Sequence, residues 1–134
     1  MLRVAGLPII ALLAACSETA AIAPGEVRTF SAPTVQGCSD SPVNAPMPFT
    51  PGRVIHSARG TVHLSLRYAV KPSGRVAAAV VERIALGEDS RALAGSQIDA
   101  LRQDIPEQIE AEWRHAAGGA PRICEVRFSW RWDD

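Results

Sequence analysis

Residues 61–70, TVHLSLRYAV, alternate between polar and apolar side chains, and this stretch decides the fold. The apolar side chains occupy every second position: Val62, Leu64, Leu66, Tyr68 and Val70. A period of two places all five on one face of a β-strand and the polar side chains on the other face. The stretch therefore predicts a strand that is buried on one face only.

The residues that follow predict a hairpin and a second strand. Lys71-Pro72-Ser73-Gly74 is typical of a turn, because proline fixes φ and glycine accepts a left-handed conformation. The second strand is predicted over residues 75–84. Its alanines at positions 77, 78 and 79 weaken the facial pattern.

After a loop at residues 86–95, an apolar stripe at three- and four-residue spacing predicts a helix. The stripe consists of Ile98, Leu101, Ile105, Ile109 and Trp113. Pro106 lies inside the stripe and lacks the N–H that a helix interior uses, so we expect a kinked helix or two short helices. This segment is expected to cover one face of the sheet.

Alternation returns at the end of the chain and predicts a last strand over residues 123–132. One face carries Cys124, Val126, Phe128, Trp130 and Trp132, and the other carries Glu125, Arg127, Ser129 and Arg131. We interpret the two tryptophans as core and rim, since aromatic residues at strand spacing are usually packed on a core. Residues 52–134 are thus predicted to form an α+β domain: a small antiparallel sheet in ββαβ order, with a kinked or split helix packed on one face.

The N-terminus predicts a lipoprotein signal peptide over residues 1–15. Arg3 precedes an apolar run, and Leu13-Ala14-Ala15-Cys16 has the small residues before a cysteine that form a lipobox. The apolar run is too short for a helix that crosses a bilayer core of about 30 Å. Cys16 is therefore predicted to carry a lipid anchor with palmitate-type chains. Ser17, in place of an aspartate, favours the outer membrane, with the domain facing the periplasm.

Residues 16–51 are predicted to hold the lipidated cysteine, a tether and a proline-rich arm. Lipidation of Cys16 leaves two cysteines, Cys38 and Cys124. An even number of cysteines in an oxidising periplasm favours a disulfide between them. Two separate buried thiols and a metal site are the alternatives.

Composition and spacing argue against several functions. The chain has 14 Lys+Arg and 14 Asp+Glu, so it has no positive field for nucleic acid. It has no C-x-x-C or H-x-x-x-H spacing, so no metal site or cofactor is predicted. Asp89-Ser90 and the scattered histidines, His56, His63 and His115, show no catalytic spacing. The chain is predicted not to be an enzyme.

Four segments share a pattern with a known family. They are Gly60-Thr61-Val62-His63-Leu64, Pro72-Ser73-Gly74-Arg75-Val76, Ile109-Glu110-Ala111-Glu112-Trp113-Arg114 and Val126-Arg127-Phe128. Together they resemble the C-terminal domain of TonB and TonB-like proteins, and the Trp113-Arg114 pair is the most distinctive part. The resemblance covers about residues 60–132 and implies a ββαβ fold that binds partner segments. The chain departs from the family at residues 84–87, IALG, where the family has Ser-Ser-Gly.

From these features we expect a lipid-anchored periplasmic interaction module, an accessory of an envelope transport, secretion or assembly complex. The final strand is expected at a sheet edge, where unpaired N–H and C=O groups accept an extended segment of a cell-envelope protein by strand addition. The side chains predicted to line the approach are Glu125, Arg127, Ser129 and Arg131. The alternative is a ligand-binding or inhibitor lipoprotein with a small pocket shaped by the arm and the tryptophans.

The anchor gives the first prediction. Because Cys16 is the only cysteine in a lipobox, Cys16→Ser is expected to block acylation and cleavage and to leave an unprocessed precursor. Electrophoretic mobility and metabolic labelling with palmitate measure the two steps. A variant that matures and labels like the parent chain contradicts the assignment.

Overall fold

The computed structural model describes residues 19–30, 38, 41–51, 54 and 59–132; Cys16 and His56 lie outside these ranges. The described residues form an antiparallel sheet of four strands with one helix, which confirms the α+β class. The elements in chain order are β1 (Val27–Thr29), β2 (Gly60–Val70), β3 (Val76–Leu86), α1 (Gly95–Glu112) and β4 (Arg122–Trp132). Across the sheet the strand order is β1-β3-β2-β4.

Strand β2 lies at the centre of the sheet, between β3 and β4. Its five alternating apolar side chains are at most 2% exposed, which confirms the predicted half-buried strand. Leu64 pairs with Ile84 of β3 and with Phe128 of β4, so apolar side chains of three adjacent strands lie side by side on one face of the sheet. Helix α1 packs on this core, chiefly over β3.

The predicted ββαβ order is incomplete, because β1 precedes the other elements and makes the order βββαβ. Strand β1 pairs with β3 from Val27↔Ala85 to Thr29↔Arg83. It is only three residues long and exposes 56% of Val27, so it has no apolar alternation to detect. Backbone hydrogen bonds between Ile22, which is fully buried, and Leu93 hold the segment that leads into β1.

A polar contact holds the start of β1. The Glu26 carboxylate accepts a hydrogen bond from the Ala23 N–H at 3.0 Å and pairs with the Arg28 guanidinium at 2.7 Å. The hydrogen bond from Ala23, followed by the bond from Arg28, lowers the pKa of Glu26. The shift therefore has a structural cause and does not indicate a catalytic acid.

Helix α1 is one continuous helix, so the expectation of two short helices is wrong. Pro106 inside it removes one backbone hydrogen bond and costs about 3 kcal/mol. The stripe on both sides of the proline is fully buried: Ile98, Leu101, Ile105 and Ile109. Burial of each of these side chains contributes roughly 1.5–3 kcal/mol. Together they outweigh the cost of the proline, so the helix continues through it.

The arm runs beside the C-terminal end of α1. The Trp113 indole N–H donates to the Pro46 carbonyl at 2.9 Å, and the Phe49 N–H donates to the Gln108 amide oxygen at 2.7 Å. Arg114 exchanges backbone hydrogen bonds with Asn44. Residues 41–51 are therefore held on the domain, although Phe49 itself is 81% exposed.

The β2–β3 turn depends on Gly74. Its φ is +88°, and a Cβ at this position would lie 2.1 Å from the carbonyl oxygen of His115. The Gly74 carbonyl also accepts a hydrogen bond from the His115 N–H at 2.9 Å. The turn thus docks against the residues that follow α1.

A matched pair of glycine substitutions tests this docking. Gly118 has φ +97°, but a Cβ there would meet nothing within 4 Å. We expect Gly118→Ala to lower the free energy of unfolding by roughly 1–2 kcal/mol, the cost of the left-handed conformation. Gly74→Ala is expected to lower it further, because the backbone must also move away from His115. Chemical denaturation measures both losses. Equal losses of unfolding free energy in the two variants would contradict the contact between Gly74 and His115.

Candidate interaction edge

Strand β4 lies at one edge of the sheet. It pairs with β2 in an uninterrupted antiparallel register from Gly60↔Trp132 to Val70↔Arg122, and the shifts in register lie between β2 and β3 instead. Among the residues that the structure describes, no second strand pairs with β4. One side of its backbone is therefore left without a strand partner in the described sheet.

The hydrogen bonds of Thr61 show which β4 groups face outward. Its N–H donates to Ser90 Oγ at 3.0 Å and its C=O accepts from the Gly87 N–H at 2.9 Å, both on the β3 side of β2. Thr61 lies opposite Arg131 in the register of β2 and β4. Because both backbone groups of Thr61 point to the β3 side, this pair exchanges no hydrogen bonds. Hydrogen-bonded and non-hydrogen-bonded pairs alternate along an antiparallel ladder. The backbone groups directed away from β2 are thus those of Ile123, Glu125, Arg127, Ser129 and Arg131.

Four of these residues are the predicted binding residues, and they share the sheet face opposite the core. Arg127 Nε donates to the Glu125 carboxylate at 3.2 Å, and the two side chains are 71% and 40% exposed. An ion pair this exposed contributes about 0–1 kcal/mol. A carboxylate on a partner can therefore replace Glu125 at little cost. The structure places Glu125, Arg127, Ser129 and Arg131 in one row along the edge.

Two residues of neighbouring strands extend this polar surface, and sequence reasoning missed them. His63 of β2 and Arg83 of β3 line a cavity of about 350 Å³ together with Arg127 and Ser129. The His63 ring Nδ1 lies 2.7 Å from Ser129 Oγ. Alternation places His63 on the polar face of β2, but only the strand register brings it to Ser129.

Among the described residues, the contact between His63 and Ser129 lacks the third group of a catalytic triad. A nucleophilic serine needs a base that a third group orients, usually a carboxylate. In the described part of the chain no carboxylate makes a hydrogen bond with His63, and both side chains are exposed. The contact is a cross-strand hydrogen bond that links β2 to β4.

The opposite face of β4 carries a row of aromatic rings. Ring centroids are 5.7 Å apart between Trp113 and Phe128, 5.7 Å between Phe128 and Trp130, and 6.5 Å between Trp130 and Trp132. Phe128 is buried, whereas both β4 tryptophans are half-buried against the core. The row therefore begins in the core and ends at its rim, and it offers apolar surface beside the edge.

Cys38 and Cys124 lie at disulfide-bonding distance, as the sequence predicts, with their Cα atoms 5.0 Å apart. The bridge spans 86 residues and ties the arm to β4. Closing a loop of this length stabilises the fold by roughly 4–5 kcal/mol in the chain-entropy account. Cys124 belongs to the core-facing side of β4, and among the described residues no strand pairs with the outer backbone edge.

A second cavity, of about 520 Å³, lies between the arm and the sheet. It is lined by Cys38, Ser41, Pro42, Ala45, Tyr68, Trp113, Cys124, Glu125 and Val126. Beside it, the buried Tyr68 hydroxyl lies 2.9 Å from His115 Nε2. One donor atom each of Cys38, His115 and Cys124 lies within 4.8 Å of the other two. While the disulfide is intact, neither sulfur is a thiolate that can bind a metal.

Comparison with known proteins gives no relative from which to assign a function: no protein family, no curated protein and no solved structure matches the chain. Within the described residues, no helix is both long enough and apolar enough to cross a membrane.

Proposed function

We propose that this protein is a lipid-anchored interaction module of the bacterial cell envelope, and not an enzyme. It binds an extended segment of another envelope protein, which adds as a fifth strand along the outer edge of β4. The observation that carries the proposal is the set of outward-facing backbone groups on β4, from Ile123 to Ser129.

The backbone edge supplies the affinity. Every second residue of β4 directs one N–H and one C=O outward, so Ile123, Glu125, Arg127 and Ser129 offer eight hydrogen-bonding groups. A net contribution of about 0.5–1.5 kcal/mol per hydrogen bond is enough for a specific complex once the cost of ordering the partner is subtracted. Main-chain hydrogen bonds provide little sequence specificity, which comes from the side chains on the two faces.

The side chains at this edge select an alternating partner. On one face Arg127 and Arg131 stand near the edge, so the partner side chains there are acidic. On the other face Trp130 and Trp132 are half-buried, so the partner side chains there are apolar. A strand with acidic and apolar residues at alternate positions satisfies both faces.

The remaining sequence expectations fit this proposal. Lipid at Cys16 holds the domain at the outer membrane, on its periplasmic side, where a partner from a transport, secretion or assembly complex is accessible. The order β2, β3, α1, β4 matches the order that the TonB resemblance implies. We propose a TonB C-terminal-like core to which β1 and the disulfide-bonded arm are additions.

One observation favours the alternative of a ligand-binding or inhibitor lipoprotein. The cavity between arm and sheet has a volume of about 520 Å³, within the range of small-molecule sites, which is about 300–1,000 Å³. Tyr68 and Trp113 give it aromatic walls, and Ala45 contributes from the arm. This cavity and the outer backbone edge use different atoms, so substitutions can separate the two functions.

A proline at position 127 tests strand addition. Arg127→Pro removes an outward N–H and places a ring where a partner strand must approach, while the ladder to β2 loses no hydrogen bond. We expect the folded variant to capture its partner at least about tenfold less well. Capture is measured by photo-crosslinking in intact cells from a reactive amino acid placed at Ser129, with circular dichroism to verify the fold.

Two controls accompany this variant. Thr29→Pro places a proline at an outward position of β1, since the next residue, Phe30, directs its N–H to Glu82 of β3. Ala45→Trp fills the arm cavity and leaves the β4 edge unchanged. Both control variants are expected to crosslink to the partner as efficiently as the parent chain does. Undiminished crosslinking by Arg127→Pro refutes strand addition at β4, and loss of binding only in Ala45→Trp supports the ligand pocket.

A further inference from the structure

Three side chains with metal-binding atoms converge beside the arm cavity. They are Cys38, His115 and Cys124, and one donor atom of each lies within 4.8 Å of the other two. His115 and Cys124 are 4% and 2% exposed, and Cys38 is half-buried. The cluster joins the arm to the segment after α1 and to β4, both of which are far from the arm in sequence.

We propose that reduction of the Cys38–Cys124 disulfide creates a three-coordinate Cu(I) site, with two thiolates and the His115 imidazole as ligands. The site lies on the core-facing side of β4 and does not use its outer backbone edge. It is therefore independent of strand addition.

The donor set selects the metal. Thiolates are soft ligands and favour Cu(I), Zn²⁺ or iron–sulfur clusters. Zn²⁺ is four-coordinate, so a site with two cysteines and one histidine needs a water as its fourth ligand, whereas the described residues supply three donors. Three donors, two of them thiolates, suit Cu(I), which is stable with few soft ligands.

His115 makes a contact of the kind that metal-binding histidines usually make. A histidine that binds a metal usually has its other ring nitrogen held by a hydrogen bond, which fixes the tautomer and the ring. Tyr68, which is 2% exposed, places its hydroxyl 2.9 Å from Nε2 of His115. This contact makes Tyr68 a positioning residue for the His115 ring.

The neighbouring cavity provides a route to the site. Both cysteines line the space of about 520 Å³ between arm and sheet. A thiol reductant or a copper ion can therefore reach the sulfurs without unfolding of the sheet.

The chemistry balances in two steps. A dithiol reductant supplies two electrons that break the Cys38–Cys124 bond, and its two protons convert the sulfurs to thiols while the reductant itself becomes a disulfide. Cu(I) then displaces both protons and forms two Cu–S bonds and one Cu–N bond. The disulfide and the copper site are thus mutually exclusive states of the same two sulfurs.

The test uses the full chain with Cys16→Ser in detergent, so that Cys38 and Cys124 are the only thiols. The chain is reduced without oxygen and titrated with Cu(I) against a chromophoric Cu(I) chelator. We expect one Cu(I) per chain and an X-ray absorption spectrum with two sulfur neighbours and one nitrogen neighbour. His115→Gln is expected to weaken Cu(I) binding by at least about tenfold and to remove the nitrogen neighbour from the spectrum. Tyr68→Phe is expected to weaken Cu(I) binding by about tenfold.

His63→Gln is the matched control, because His63 is an exposed histidine on the opposite face of the sheet, and it is expected to bind like the parent chain. Circular dichroism of the reduced chain verifies the fold. Loss of the folded spectrum on reduction, preference for Zn²⁺ over Cu(I), or equal affinity of His115→Gln and the parent chain would each overturn the proposal.

Discussion

Strand β2 pairs with β3 on one side and with β4 on the other, and this double pairing fixes the layout of the sheet. Its apolar side chains face the core, and its backbone alternates between hydrogen bonds to β3 and to β4. Because β2 lies between β3 and β4, β4 is at an edge of the sheet. The backbone groups of Thr61 point to the β3 side, and this direction determines which β4 groups face outward. The same register brings His63 to Ser129 on the polar face and sets Leu64 against Phe128 in the core.

The elements with strong periodicity could be predicted from the sequence. Alternation located β2 and β4, and the apolar stripe located α1, because burial on one face leaves a regular pattern. Strand β1 could not be found, since three residues with an exposed Val27 carry no pattern. The sequence left a kinked helix and two short helices open at Pro106, and one helix forms because the burial of Ile98 to Ile109 against the sheet outweighs local helix preference.

The candidate site could be predicted only where it depends on one strand. The four predicted binding residues occupy every second position of one strand and therefore share a face, and this spacing can be read from the sequence. They are Glu125, Arg127, Ser129 and Arg131. Their outward backbone direction depends on how β2 divides its hydrogen bonds, which only the assembled sheet shows. The cysteine count predicted the disulfide, but nothing in the spacing of three scattered histidines indicated that His115 lies beside both sulfurs.

Amide hydrogen exchange, measured by NMR on the full-length chain, shows whether the outer backbone edge of β4 is open. An amide that is bonded to β2 exchanges through opening of the sheet, whereas an unbonded amide at the surface exchanges much faster. We expect the exchange rates to alternate along β4, with fast exchange at Glu125, Arg127 and Ser129 and protection at Val126 and Phe128. Protection of all five amides would contradict it, because another part of the chain would then already cover this edge.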